Sequence, residues 1–244
     1  MAANLVNKVK EKVDHRRLQA ARAASGQQIL LMEKTIIEHA PEPSGQPVIL
    51  FNASTRISGM SLNAAYNLLT GWALRLQGVP VVQWICRRGL NPCILGTNRD
   101  NPHAKPPCRD CLRQSCLIYP VCTSPSFQTR WMEPGRQPQL EQALRCLSVA
   151  ELSAFEYEDI PLGKLVLPGL RWVLRRHHLT GDESTSYLFR KYLLSAYQTS
   201  NQFQRLVSEV QPRAVLVFNG QFYPEAAVRW TAQKSGTGYN LNSI

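Results

Sequence analysis

The sequence predicts an α/β domain built on a parallel sheet with helices on both faces. Three observations carry that expectation. Residues 48–54 and 214–220 are each an apolar run that ends in an Asn-bearing polar turn. Both runs are short and unbroken, as in strands buried on both faces of a parallel sheet. A stretch with helical spacing links the first run to another at residues 79–85, and a β-helix-β unit within one sheet is nearly always a right-handed parallel crossover. The pattern is Rossmann-like.

Taken in order, residues 1–24 read as a basic amphipathic helix, with Leu5, Val6, Val9 and Val13 on one face and Lys8, Lys10, Lys12, Arg16 and Arg17 largely elsewhere. A second helix is expected over residues 27–39. Such a segment suits docking on an anionic membrane surface or a partner helix. The simpler account is packing on the domain through the apolar stripe. The breaker cluster over residues 41–47, with Pro41, Pro43 and Pro47, then divides the chain into an extension over residues 1–40 and a domain over residues 47–244.

Residues 48–51 form the first strand and residues 52–59 a polar turn. Leu62, Ala65, Leu68, Leu69, Ala73 and Leu76 keep helical spacing over residues 61–77, and Gly78 stops the helix before the strand at 79–85. Residues 86–122 are rich in Cys, Pro and Arg and read as an inserted module. Helices are expected at 140–150, 169–178 and 184–210, a strand at 212–220 and a helix at 224–234 that opens with Pro224. A returning strand should follow. Residues 237–244 are instead polar and short, so the domain reads as truncated there.

The chain has 244 residues, and its 28 Lys and Arg against 17 Asp and Glu give a net charge of +11. That balance favours anionic partners. No run approaches the roughly 20 apolar residues of a membrane span, and the first residues lack the apolar core of a secretory signal. A cytoplasmic protein is expected, with the basic helix available to the inner face of the membrane.

In open α/β sheets, ligands bind beyond the carboxyl ends of the strands, where helix N-termini attract phosphate. Asn52, Ser54, Thr55, Arg56, Ser58 and Gly59 occupy one such end; Asn219, Gly220 and Glu225 occupy the other. These are the candidate substrate-binding residues, although Asn and Ser also cap helices and shape turns for purely structural reasons. Neither G-x-G-x-x-G nor a Walker loop is present. No Ser/His/Asp or Cys/His order marks a catalytic nucleophile.

All of the seven cysteines except Cys146 lie between Cys86 and Cys122. Cys108 and Cys111 make a C-x-x-C knuckle that presents two thiolates to one tetrahedral ion, and Cys86 and Cys93 complete a structural zinc set. Cys116 and Cys122 are rival ligands, and an iron–sulfur cluster or free thiols are the other readings. Arg87, Arg88, Arg99, Lys105, Arg109 and Arg113 lie in the same segment and would suit a zinc module that binds nucleic acid or a protein partner; the scarcity of interleaved aromatics counts against base stacking. Residues 175–178 add two arginines and two histidines, which on a helix diverge as a solvated basic face.

Residues 51–65, the Cys86 to Cys111 segment, residues 174–179 and residues 217–226 together resemble the amino-terminal half of bacterial glycosyltransferases of capsule and surface polysaccharide synthesis. The resemblance spans about residues 45–236. It implies a GT-B architecture, in which two Rossmann-like domains face each other across a cleft. This chain would be the acceptor-side domain, incomplete and carrying a Cys-rich insertion, with a nucleotide-sugar and a glycan or lipid-linked acceptor as its partners. No catalytic metal is implied, and without the donor-binding half the chain would be inactive alone.

Overall fold

In the computed structural model, residues 2–53, 59–90, 92–119, 123–124, 127–236 and 238–242 are described. A long helix α1 (Ala2–His39) precedes β1 (Val48–Asn52), α2 (Leu62–Leu76) and β2 (Val81–Cys86). The chain continues through α3 (Cys108–Ile118), β3 (Thr123–Ser124) and β4 (Phe127–Met132). Four helices follow, α4 (Pro138–Leu144), α5 (Val149–Ala154), α6 (Leu162–Leu174) and α7 (Glu183–Val210), and then β5 (Ala214–Phe218), α8 (Glu225–Lys234) and β6 (Gly238–Asn242).

The strands form one sheet in the order β3-β4-β2-β1-β5-β6. Every neighbouring pair is parallel except β3 with β4. Numbered by themselves, the parallel strands run third, second, first, fourth, fifth. That is the order of a Rossmann-like sheet, and it makes the β1–β5 boundary the topological switch point.

Alternation along β1 shows why the sheet needs cover on both sides. Ile49 and Phe51 join Val82, Trp84, Val215 and Val217 in a core closed by α6, α7 and α8. Val48 and Leu50 face the other way, onto Val79, Val81 and Leu74 of α2. On that second face Ile85 meets Ala64, Leu68 and Trp72 of α2, Ile118 of α3, and Ile29 and Ile36 of α1. Each such aliphatic side chain taken from water contributes roughly 1.5–3 kcal/mol. Ser61 caps α2 by accepting from Ala64 N at 3.1 Å, and Asn67 on its buried face donates to Phe51 O at 3.0 Å, which ties the first crossover helix to its strand.

Several expected boundaries change. The two N-terminal helices are one, because Gly26 is buried against α3, where an added Cβ would lie 3.0 Å from Leu117 Cδ2. Glycine there permits close approach and does not break the helix. The expected Cys-rich insertion is the connection from β2 through α3 to β4, not a module set into the domain. The helix expected at 169–178 runs from Leu162 to Leu174 and ends at a left-handed Arg175, so His177 and His178 lie beyond it. Residues Gly238–Asn242 supply the returning strand that their composition hid. A sheet's outer strand is held by its backbone ladder, so its side chains need not be apolar. Among the described residues, no helix is long and apolar enough to cross a membrane.

The contact of α1 with the domain carries one buried acid. Glu33 lies between Ile29 and Ile36 on the packed face, is 5% exposed, and has no hydrogen-bond partner at Oε1. Burial pushes its carboxyl up to about 7 from 4.5. Because the folded state holds this proton more tightly, stability falls as pH rises from about 4.5 through about 7. Glu33→Gln should therefore stabilise the protein at pH 8 by on the order of 3 kcal/mol and change little at pH 4. Urea denaturation at both pH values measures this, and equal effects at the two would refute it.

Candidate functional site

Because β1 and β5 are hydrogen-bonded neighbours, their carboxyl ends open side by side at the switch point. Helix α2 leaves β1 on one face of the sheet and α8 leaves β5 toward the other, which parts the chain and leaves a crevice. A cavity of about 600 Å³ fills it, lined by Ala53, Ser61 and Asn63 on the β1 side and by Phe218, Asn219, Phe222 and Glu225 on the β5 side. Cys93, Ile94 and Leu95 from the loop after β2, and Trp172 from α6, form its remaining walls.

The turn after β5 is shaped by two successive left-handed residues, Asn219 (φ 63°) and Gly220 (φ 64°). Asn tolerates that conformation and Gly prefers it. The turn brings Tyr223 down into the core, where its hydroxyl donates to Pro92 O at 3.0 Å and its ring packs 4.9 Å from that of Tyr192. The Tyr192 hydroxyl meets that of Thr97 at 2.7 Å, and Thr97 donates to Cys93 O at 2.8 Å. Buried polar groups bonded in series fix the loop at 92–97 against α7 and the β5 turn. The cleft wall is thus held from behind.

Glu225 begins α8 at its positive end, a position that favours a carboxylate. Burial outweighs this and pushes its carboxyl up to about 7. Across the cleft, Trp172 is 61% exposed although it is among the largest apolar side chains, and its ring lies 6.1 Å from that of Phe222. An adjoining cavity of about 510 Å³ shares Ile94 and Trp172 and is bordered by Arg99, Asp100 and Arg175.

Of the residues expected at the strand ends, Asn219 and Glu225 line the cleft, and buried Gly220 shapes the turn between them. Asn52 is engaged elsewhere. Its amide donates to the Tyr119 hydroxyl at 2.8 Å, which in turn donates to Ala64 O at 3.3 Å, so it joins β1 to α3 and α2. Gly59 is exposed with φ +71° and nothing within 4 Å of an added Cβ. Ser54, Thr55, Arg56 and Ser58 lie outside the described residues, as does Cys122. Trp172 and Phe222 carried no signal in the sequence, since the fold alone pairs residues from α6 and the β5 turn.

Cys86, Cys93, Cys108 and Cys111 also converge, all four lining one apolar cavity of about 20 Å³. Cys116 and Cys146 are exposed and line neither cavity. As the side chains stand, no group of three or more His, Cys, Asp or Glu among the described residues is arranged to hold a metal ion. Burial pushes the Cys86 thiol up to about 11 and that of Cys93 to about 12, so these two are neutral.

Compared with known families, the chain matches no family profile, and no curated protein is significantly similar to it.

Proposed function

We propose that this chain is the acceptor-side half of a GT-B glycosyltransferase, which transfers a sugar from a nucleotide-sugar to a polysaccharide or lipid-linked acceptor. The observation that carries the reading is the switch-point cleft, where exposed Trp172, paired with half-buried Phe222, stands beside a carboxyl that titrates near neutrality. Aromatic faces pack against the C–H faces of sugar rings and leave the hydroxyls free for polar groups such as Asn219. A nucleotide-sugar would be held by a second domain facing this edge.

Within that reading, Glu225 is the general base. Its carboxylate takes the proton from an acceptor hydroxyl while that oxygen bonds to the anomeric carbon. The bond from the anomeric carbon to the nucleoside diphosphate breaks, and the diphosphate leaves with the electron pair. A base titrating near the working pH combines a useful ionised fraction with real proton affinity. Arg99 and Arg175 beside the adjoining cavity supply guanidiniums for an acceptor phosphate.

Binding tests the reading directly. Titration calorimetry of polysaccharide-derived oligosaccharides against the purified chain should show binding, weakened about 5- to 20-fold by Trp172→Ala as one aromatic contact is lost. An unchanged affinity in that variant, or binding confined to oligonucleotides with steep salt dependence, would remove the sugar reading; the latter is the behaviour of a phosphate-binding basic module.

A further inference from the structure

The cysteine cavity has an architecture that the spacing of its thiols did not reveal. Cys86 and Cys93 each begin a C-x-x-G turn, Cys86–Gly89 and Cys93–Gly96 by number, whose glycine amide points back at the sulfur. Gly96 N donates to Cys93 Sγ at 3.1 Å, and the Gly89 and Leu90 amides close to the Cys86 sulfur favour its thiolate. Both glycines are sterically required. A Cβ on Gly96 would lie 2.8 Å from Pro106 and 3.2 Å from Cys93 Sγ, and one on Gly89 would lie 2.6 Å from the Met132 carbonyl oxygen. Cys108 and Cys111 enter from the first turn of α3, behind Pro106 and Pro107.

The four thiols are therefore delivered by three separate turns to one small space. Each lies within electrostatic reach of others in the set, Cys93 sensing Cys86, Cys108 and Cys111. Leu90, Leu95, Leu112 and the two prolines close the surroundings, and a volume of about 20 Å³ admits one water-sized particle. Amide donors aimed at sulfur stabilise thiolate, and thiolate in an apolar pocket requires a cation. Arg88 borders the cavity and offsets part of the charge that four thiolates leave on a divalent ion.

We infer that Cys86, Cys93, Cys108 and Cys111 form a tetrahedral structural zinc site, with the sulfurs drawn inward around the ion. Zinc fits better than a cluster because four-thiolate closed sites without an open position are its structural form, and the cavity is sized for a single ion. The site would clamp the loop after β2, which carries Cys93 and continues through Ile94 and Leu95 into the cleft wall, onto the start of α3. The inference stands on the cysteines and is independent of the sugar reading.

Metal analysis of the purified chain should give one zinc per chain, and the cobalt-substituted protein should show thiolate-to-cobalt charge transfer with tetrahedral ligand-field bands. Serine at Cys86, Cys93, Cys108 or Cys111 should abolish tight zinc retention, whereas Cys116→Ser and Cys146→Ser should retain the full equivalent. Cys108→His keeps a ligand even if serine there unfolds the protein, and it should preserve a tetrahedral cobalt spectrum with charge transfer reduced by about a quarter. Metal-free protein with a native fold, an octahedral cobalt spectrum, iron with sulfide, or zinc lost on replacing Cys116 would each overturn the assignment.

Discussion

Glu225→Gln should lower kcat/KM about 10²- to 10⁴-fold, with little change in acceptor KM, in a protein that carries both halves of the cleft. The amide keeps the shape and the hydrogen-bonding capacity of the side chain but accepts no proton. In the parent the acidic limb of the rate profile should fall near pH 7, where the carboxyl loses its proton. In the variant that limb should vanish. Stability should move in the opposite sense. Glu225 has its ordinary value near 4.5 when unfolded and about 7 when folded, so ionising it weakens the fold progressively as pH rises between those values. Removing the ionisable group should raise stability at pH 8 by at most about 3 kcal/mol. Activity lost together with stability gained marks a group held in an unfavourable state for chemistry. Glu33→Gln is the control, since it should gain comparable stability and leave kcat/KM unchanged. A Glu225→Gln protein with full turnover would exclude the carboxyl as the base.

The elements that position the cleft were legible because their residues are apolar on both faces. The apolar run around β1 and the one at β5 can be read from composition, and with α2 and α8 they define the switch point. Strand β4 was not legible. Phe127–Met132 interleaves Gln128, Thr129 and Arg130 among its apolar residues, and next to the sheet's short antiparallel strand it need not be uniformly apolar. The expected single helix at 140–150 is two, because Ser148 and Glu151 form a capping box that starts α5 afresh. That signal lay in the sequence, as Ser and Glu three residues apart. Asn52 and Asn219 shared one pattern and serve different ends, one tied to Tyr119 and one open to the cleft. Turn chemistry predicts that an Asn belongs at a strand end; only packing decides which way its amide points.

The packing beneath the cleft can be tested at one residue. Trp84→Ala should cost about 3–5 kcal/mol, the range for truncating a fully buried large aromatic. Trp84 is 2% exposed on a central strand, with the ring of Phe51 from β1 at 5.1 Å and that of Phe203 from α7 at 5.2 Å. The three rings join two neighbouring strands to α7, the longest helix on their face of the sheet, and neither flanking ring can collapse into the space without leaving the other. Against a total stability of roughly 5–15 kcal/mol, the loss should lower the melting temperature by about 6–20 °C in a chain of this length. Trp172→Ala removes the same kind of ring from an exposed position and should change stability by less than about 0.5 kcal/mol. Urea unfolding of the two variants separates the ring that holds the sheet together from the ring offered to a ligand. A loss under about 1 kcal/mol at Trp84 would mean that the aromatic stack relaxes, and the cleft above it would then rest on α7 alone.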